Sequence, residues 1–287
     1  MSETPIATSD DPVVVKIGGA RAVEPEGALA DIATLVEDGT EVVVVHGGST
    51  AVDELLSRLG IDPEYVTTPG GVSGRFTDEE TMSAFAMAMA GVNLDLTVGL
   101  RNEGVDAVGL SGADGGLLTG VRKSAVRVLE DGKKKIRRGD HSGRIDAVND
   151  DLLRSLLADG YTPVVSVPML ADDGVAVNAD ADRAAAAVAG ALGARLVVLT
   201  DVEGVYEDPE DPATLIEIVD SPAAFSRTEG AAEGFMRKKV MAAREALSGG
   251  ASGVIVSNAN REEPISAALA GAGTQFSETA LAEGAEP

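Results

Sequence analysis

Residues 13–19 read Val-Val-Val-Lys-Ile-Gly-Gly, and residues 42–49 repeat the arrangement as Val-Val-Val-Val-His-Gly-Gly-Ser. Each is a short β-branched run, suited to a buried strand, that ends in a glycine pair and leads into an amphipathic helical segment. Runs of the same kind lie at 106–110, 163–167, 196–200 and 253–257, and helical periodicity covers 26–38, 50–59, 78–103, 149–159, 182–192 and 234–248. Strands alternating with helices predict βαβ units, and so an α/β fold: a three-layer αβα sandwich with a mainly parallel central sheet.

Composition supports that class. Hydrophobic residues make up 44% of 287 but aromatics only 3%, so the core must be built from Val, Ala, Leu and Ile, as in parallel strands covered on both faces. Residues 1–11 and 275–287 are small, acidic and aperiodic and are expected to be disordered tails, with a lobe boundary near residue 175. The absence of cysteine excludes disulfides and Cys-ligated metals, and two histidines make a His-rich metal site unexpected. The N-terminus lacks the basic and apolar regions of a signal peptide, and no apolar run is read as reaching the roughly 20 residues of a membrane span. A soluble, cytoplasmic protein is expected.

The formal charge is −24, with acidic residues scattered along the whole chain. Such a charge disfavours nucleic acid and membrane partners, and its self-repulsion calls for screening by concentrated salt. A salt-loving cytoplasm is the simplest explanation.

Glycine lets the backbone turn tightly and approach a ligand, and amides at a helix N-terminus favour anions, so the two glycine turns suit a phosphoryl group. Tight packing alone would also call for glycine there. Lys16 ends an otherwise apolar strand, where a lysine is costly without an anionic partner. His46 is read as a packed, hydrogen-bonded residue with no catalytic role. Further on, residues 177–183 read Val-Asn-Ala-Asp-Ala-Asp-Arg at the start of a helix. Asp182 either caps that helix or orients lysines around a nucleotide. Residues 199–206 (Leu-Thr-Asp-Val-Glu-Gly-Val-Tyr) and 234–239 (Gly-Phe-Met-Arg-Lys-Lys) both suit nucleotide binding.

Taken in order, KIGGA, VVVHGGS, GRFTDEET, GLSGADGGL, NADADRAA, LTDVEGVY and GFMRKKV resemble the amino acid kinase family, in its acetylglutamate-kinase branch, over residues 12–273. The resemblance implies an acceptor-binding and dimerising lobe at 12–175, a lobe for ATP with Mg²⁺ at 176–274, and a homodimer. By position it assigns Lys16 and Lys239 to neutralising the transferring phosphoryl group, with Lys238 the less favoured twin, and Asp182 to holding the lysines. Gly18 and Gly19 fall in the phosphate loop. Gly47, Gly48, Ser49, Arg75 and Asn178 fall on the acceptor side, Arg75 as a bidentate clamp on a carboxylate. Asp201, Val202, Gly204, Val205, Tyr206 and Gly234 fall on the ATP side. No protein metal site is expected, because Mg²⁺ rides on nucleotide phosphates. Acyl-phosphate formation needs no general base, since a carboxylate is already ionised at neutral pH.

The acceptor segment at 68–78, Thr-Pro-Gly-Gly-Val-Ser-Gly-Arg-Phe-Thr-Asp, is longer and richer in glycine than that of a plain acetylglutamate kinase. It resembles kinases acting on glutamate or 2-aminoadipate attached to an amino-group carrier protein of the LysW type, in arginine and lysine biosynthesis. Nine of the 23 basic residues lie between Arg122 and Arg144. Of these, Lys133, Lys134, Lys135, Arg137 and Arg138 are read as a docking patch for an acidic carrier, or else as a solvated hairpin. The alternative in the same reaction class is N-acetylglutamate kinase on the free substrate. A ligand-sensing protein without turnover is the alternative in another class, and it would be expected to lack Lys16, Asp182 or Lys239.

Overall fold

The computed structural model describes residues 11–18, 25–69, 73–130 and 133–281. In chain order the first half of these residues holds β1 (Val13–Ile17), α1 (Pro25–Glu37), β2 (Val42–His46), α2 (Ser49–Leu59), β3 (Tyr65–Thr67), β4 (Ser73–Arg75), α3 (Glu79–Asn102), β5 (Ala107–Gly112), β6 (Leu118–Arg122), β7 (Ala125–Glu130), β8 (Lys133–Arg138) and β9 (Gly143–Val148). The second half holds α4 (Asp150–Ala158), β10 (Thr162–Ala171), β11 (Ala176–Val177), α5 (Ala181–Leu192), β12 (Arg195–Thr200), β13 (Ile218–Val219), α6 (Pro222–Ala231), α7 (Gly234–Ser248), β14 (Gly253–Asn258), α8 (Pro264–Leu269) and β15 (Thr274–Ser277).

Among the described residues, eleven strands form one sheet whose main path runs β13-β15-β14-β12-β1-β2-β10-β6-β9, with β5 and β11 also on β10. The central pairs β12–β1, β1–β2, β2–β10 and β12–β14 are all parallel. This is the expected mainly parallel αβα sandwich. Strand alternation splits the core in two: Val14, Val43 and Val45 pack with α5 and α7, while Val13, Val15, Val42 and Val44 pack with α1 and α8. The C-terminal ends of β1, β2 and β12 are neighbours, because all three run the same way. The chain passes from β1 to β2 on one side and from β12 on to β14 on the other, so the connections diverge between β1 and β12, which is where open α/β sheets form ligand crevices.

Two expectations are corrected. Residues 275–281 of the expected C-terminal tail are ordered: β15 pairs antiparallel with β14, and Phe276 is buried with its ring 5.7 Å from that of Phe225, whereas residues 1–10 and 282–287 of the expected tails lie outside the described residues. A four-residue strand is too short to show periodicity, so the segment read as aperiodic. Lys133–Arg138 do lie in a hairpin, β8 closing one with β7, while β9 joins the main sheet beside β6. Helix α3, at 24 residues, is long and apolar enough by length and composition to cross a membrane, against the reading of the sequence. Here it packs on α1, α2, β5 and β10, and Asp78 caps it by accepting from Thr81 N at 2.8 Å.

Candidate active site

Lys16, Asp182 and Lys239 come from three elements and meet at this crevice. Lys16 Nζ lies 2.7 Å from Asp182 Oδ1, and Lys239 Nζ lies 3.7 Å from Asp182 Oδ2. All three side chains are buried. The trio carries one excess positive charge out of water, which is costly unless an anion completes it. Burial pushes the Asp182 carboxyl up, but the attraction of Lys16 and Lys239 outweighs it and holds the group below the ordinary carboxylate range. For Lys239, burial and then repulsion from Lys16 lower the ammonium, against the pull of Asp182, Asp180 and Asp201.

Asp182 does not cap its helix. Asp180 does, with Oδ1 accepting from Asp182 N at 3.0 Å and from Arg183 N at 3.2 Å, and it also stands 3.9 Å from Lys238 Nζ. The helices that deliver Asp182 and Lys239 are locked together. Arg183 on α5 donates Nε to both oxygens of Glu245 on α7 at 2.9 Å, and an added Cβ on Gly190 would come within 3.0 Å of the Gly249 backbone. That close approach fixes the separation of the two charged side chains.

Gly48 precedes α2, and an added Cβ there would meet Met89 Sδ at 2.7 Å, so any side chain would have to displace Met89 of α3. The first turn of α2 presents backbone N–H groups beside the end of β1. Gly18 follows β1 directly, whereas Gly19 lies outside the described residues. Of the residues expected on the acceptor side, Arg75 pairs with Asp53 and donates to Tyr65 Oη at 3.0 Å and to the carbonyl of Ser49 at 3.2 Å. Its guanidinium thus already grips a carboxylate next to the glycine turn. Asn178 donates to Thr77 Oγ1 at 3.2 Å, and the His141 backbone bridges the two segments, with its N–H on Thr77 O and its carbonyl on Asn178 N. Buried Asp140 also accepts from Thr77 N at 3.3 Å.

Of the residues expected on the ATP side, Asp201 and Val202 are exposed after β12, and Gly234 opens α7 with φ +53. Gly204 abuts Thr274, whose Oγ1 would lie 2.6 Å from an added Cβ. Tyr206, half-buried, bridges to Leu215. Val205 has its side chain fully buried, its N–H bonded to Thr274 Oγ1 and its carbonyl accepting from Ile216 N, so it holds the loop to the core. The loop is anchored by Glu203, which accepts from Asn258 at 2.7 Å and from Arg261 Nε at 2.6 Å, and these bonds hold its carboxyl below the ordinary range.

The five residues read as a docking patch divide between the two faces of the hairpin. In the β7–β8 ladder Arg137 faces Val126, on the side of buried Val128, and it grips Glu64 at 2.6 and 3.0 Å while stacking 4.6 Å from the Phe76 ring. Arg137 is therefore a strut between hairpin and body. Lys135, opposite Val128, and Lys133, opposite Glu130, share that side. The other side carries Arg127, Leu129, Lys134, Ile136 and Arg138, all exposed, with Ile136 at 66%. The sequence reading did not group Arg127, Leu129 and Ile136 with Lys134 and Arg138, because a charge count ignores the two-residue period of a strand. Asp180 and Asp140 were missed too, the first signalled only by the Asp-x-Asp spacing at a helix start.

A model of the amino acid kinase family matches residues 11–258. A [LysW]-aminoadipate kinase of Deinococcus radiodurans is 42% identical over 267 residues, 92% of this chain and 91% of that protein. An acetylglutamate kinase of Methanopyrus kandleri is 41% identical over 249 residues, 85% and 94% of the two chains. Among solved structures, N-acetylglutamate synthase of Neisseria gonorrhoeae superposes with a TM-score of 0.75 at 25% identity over 93% of this chain, which spans only 59% of that one.

Proposed function

The chain belongs to the amino acid kinase family and is a phosphotransferase with a carboxyl group as acceptor; from that premise we propose that it phosphorylates the side-chain carboxylate of 2-aminoadipate or glutamate borne by a LysW-type carrier protein. ATP supplies the γ-phosphoryl group. An acceptor carboxylate oxygen attacks the γ-phosphorus, the O–P bond forms as the bridging P–O bond breaks, and ADP departs with the electron pair, so no proton need move. The observation that carries the reading is the buried trio, in which one carboxylate holds two ammonium groups at the end of the central strand.

In this reading Lys16 and Lys239 offset the charge that builds on the phosphoryl oxygens, and Asp182 keeps both pointed inward before substrate arrives. The free N–H groups of the Gly18 and Gly47–Gly48 turns and of the N-terminus of α2 donate to phosphoryl oxygens. Arg75 exchanges Asp53 for the substrate's other carboxylate, and Asn178 orients the acceptor. Asp201, Val202, Gly204, Tyr206 and Gly234 border the nucleotide, whose own oxygens would carry Mg²⁺. The outer face of the β7–β8 hairpin, with Arg127, Lys134 and Arg138 around Ile136, receives the acidic carrier. The enzyme then serves lysine or arginine biosynthesis as a cytoplasmic homodimer, and its −24 charge suits a salt-rich cytoplasm.

Offering ATP with carrier-borne aminoadipate, carrier-borne glutamate or free N-acetylglutamate, and trapping acyl phosphate with hydroxylamine, tests the proposal. Turnover confined to the free acetylated substrate would replace it with the acetylglutamate-kinase reading.

A further inference from the structure

His46 ends β2 and is fully buried. Alternation along the strand puts it with Val42 and Val44, on the sheet face opposite the one that carries Val14, Lys16 and Asp182. Its Nε2 lies 3.1 Å from Asn93 Nδ2 on α3, and its Nδ1 lies 3.0 Å from the carbonyl oxygen of Gly47. The Asn93 amide is oriented by a second bond, from Nδ2 to Val164 O at 2.8 Å. An amide nitrogen only donates, so Nε2 accepts, and the neutral ring must carry its proton on Nδ1 and donate it to Gly47 O. Burial pulls the imidazole pKa down to about 4, keeping it neutral.

The asparagine is itself fixed. Gly109 makes room for it, since an added Cβ there would lie 2.3 Å from Asn93 Oδ1, and Thr97 Oγ1 bonds the Asn93 carbonyl at 2.7 Å. Gly47 N donates to Ile17 O at 3.2 Å, so the Gly47 unit is held at both its N–H and its carbonyl. In a planar trans peptide the following N–H points away from the carbonyl. With Gly47 O drawn to the α1 face, Gly48 N–H is sent towards the face of Lys16 and Asp182.

We infer that His46, braced by Asn93, is a positioning residue that aims the Gly48 amide at the transferring phosphoryl group. The inference rests on reading the Gly47–Gly48 turn as an anion-binding element of a kinase site. It assigns a task to a histidine that touches no substrate, and it explains why α3 carries a buried asparagine among apolar residues.

Two substitutions separate aiming from mere packing. His46→Asn keeps an amide donor where Nδ1 stands and gives up the Asn93 bond; His46→Gln keeps an acceptor near Nε2 and gives up the Gly47 bond. With carrier-borne aminoadipate and ATP, His46→Asn should keep kcat within about threefold, while His46→Gln should lose about tenfold or more with KM for ATP nearly unchanged. Equal kcat for both, measured where both are folded, overturns the inference. Should either fail to fold, ¹⁵N NMR of the wild-type ring decides: a neutral ring protonated on Nδ1 supports it, and Nε2 protonation or titration near pH 6.5 overturns it. Failure of the kinase reading looks different, because the wild type itself would then transfer no phosphoryl group to any of the acceptors.

Discussion

Lys16 on the central strand and Asp182 in the first turn of α5 meet at 2.7 Å, and the other oxygen of the same carboxylate stands 3.7 Å from Lys239. The charge is arranged by the fold before any substrate binds. Lys16 has no freedom to leave the sheet, and α5 is tied to α7 through Arg183 and Glu245. Preorganisation of this kind accelerates a reaction because the protein need not reorient dipoles as charge moves.

Removing either ammonium should therefore damage turnover more than folding. Lys16→Ala and Lys239→Ala are each expected to lower kcat by about two to three orders of magnitude, with little change in melting temperature. Steady-state kinetics beside thermal melts check this, and near-wild-type turnover in either variant sinks the assignment.

Asp180 and Asp182 are two residues apart and should separate cleanly. Asp182→Asn leaves two buried ammonium groups without their carboxylate, and should cost about 3 kcal/mol of stability together with most of the activity. Asp180→Ala removes a helix cap and should cost about 1 kcal/mol while retaining much more of the turnover. Similar kinetics for the two would return Asp182 to a structural role.

The sequence made Lys16 and the glycine turns legible because a lysine among valines and paired glycines before a helix are local anomalies with local causes. The helices at 182–192 and 234–248 were legible for the same reason. What escaped depends on three dimensions. Whether Asp180 or Asp182 capped α5 turned on a single φ/ψ choice, Val205 fell into the core because Thr274 took its amide, and the hairpin's charges sorted by strand face. The Phe225–Phe276 contact joins segments with no shared periodicity, so the last strand was invisible until paired.

Buried His46 should leave a mark on stability against pH. Its pKa is lowered from 6.5 to about 4 in the folded protein. Between those values the unfolded chain binds a proton that the native state refuses, so stability falls as pH falls from about 6.5 and flattens below about 4, by about 3 kcal/mol in all. Melting curves over that range should fall more steeply for the wild type than for His46→Asn. Parallel curves would mean that the imidazole is not held neutral by burial.

The hairpin supplies the test of the partner. Arg127, Lys134 and Arg138 share an exposed face, while Arg137 stacks on Phe76 and grips Glu64. Reversing the first three to Glu should raise KM for carrier-borne substrate by about tenfold or more, leaving KM for ATP, kcat on any free substrate and melting temperature nearly unchanged. Arg137→Ala should instead lower the melting temperature, since it unties the hairpin from the body. Ionic strength sharpens the distinction: at about 1 M salt the Debye length is about 3 Å, so long-range steering vanishes and only close contacts survive. A defect in the triple variant that persists there, and deepens when exposed Ile136 is also replaced by Asp, identifies a seated partner. A triple variant matching the wild type with carrier-borne substrate would leave this face without a partner.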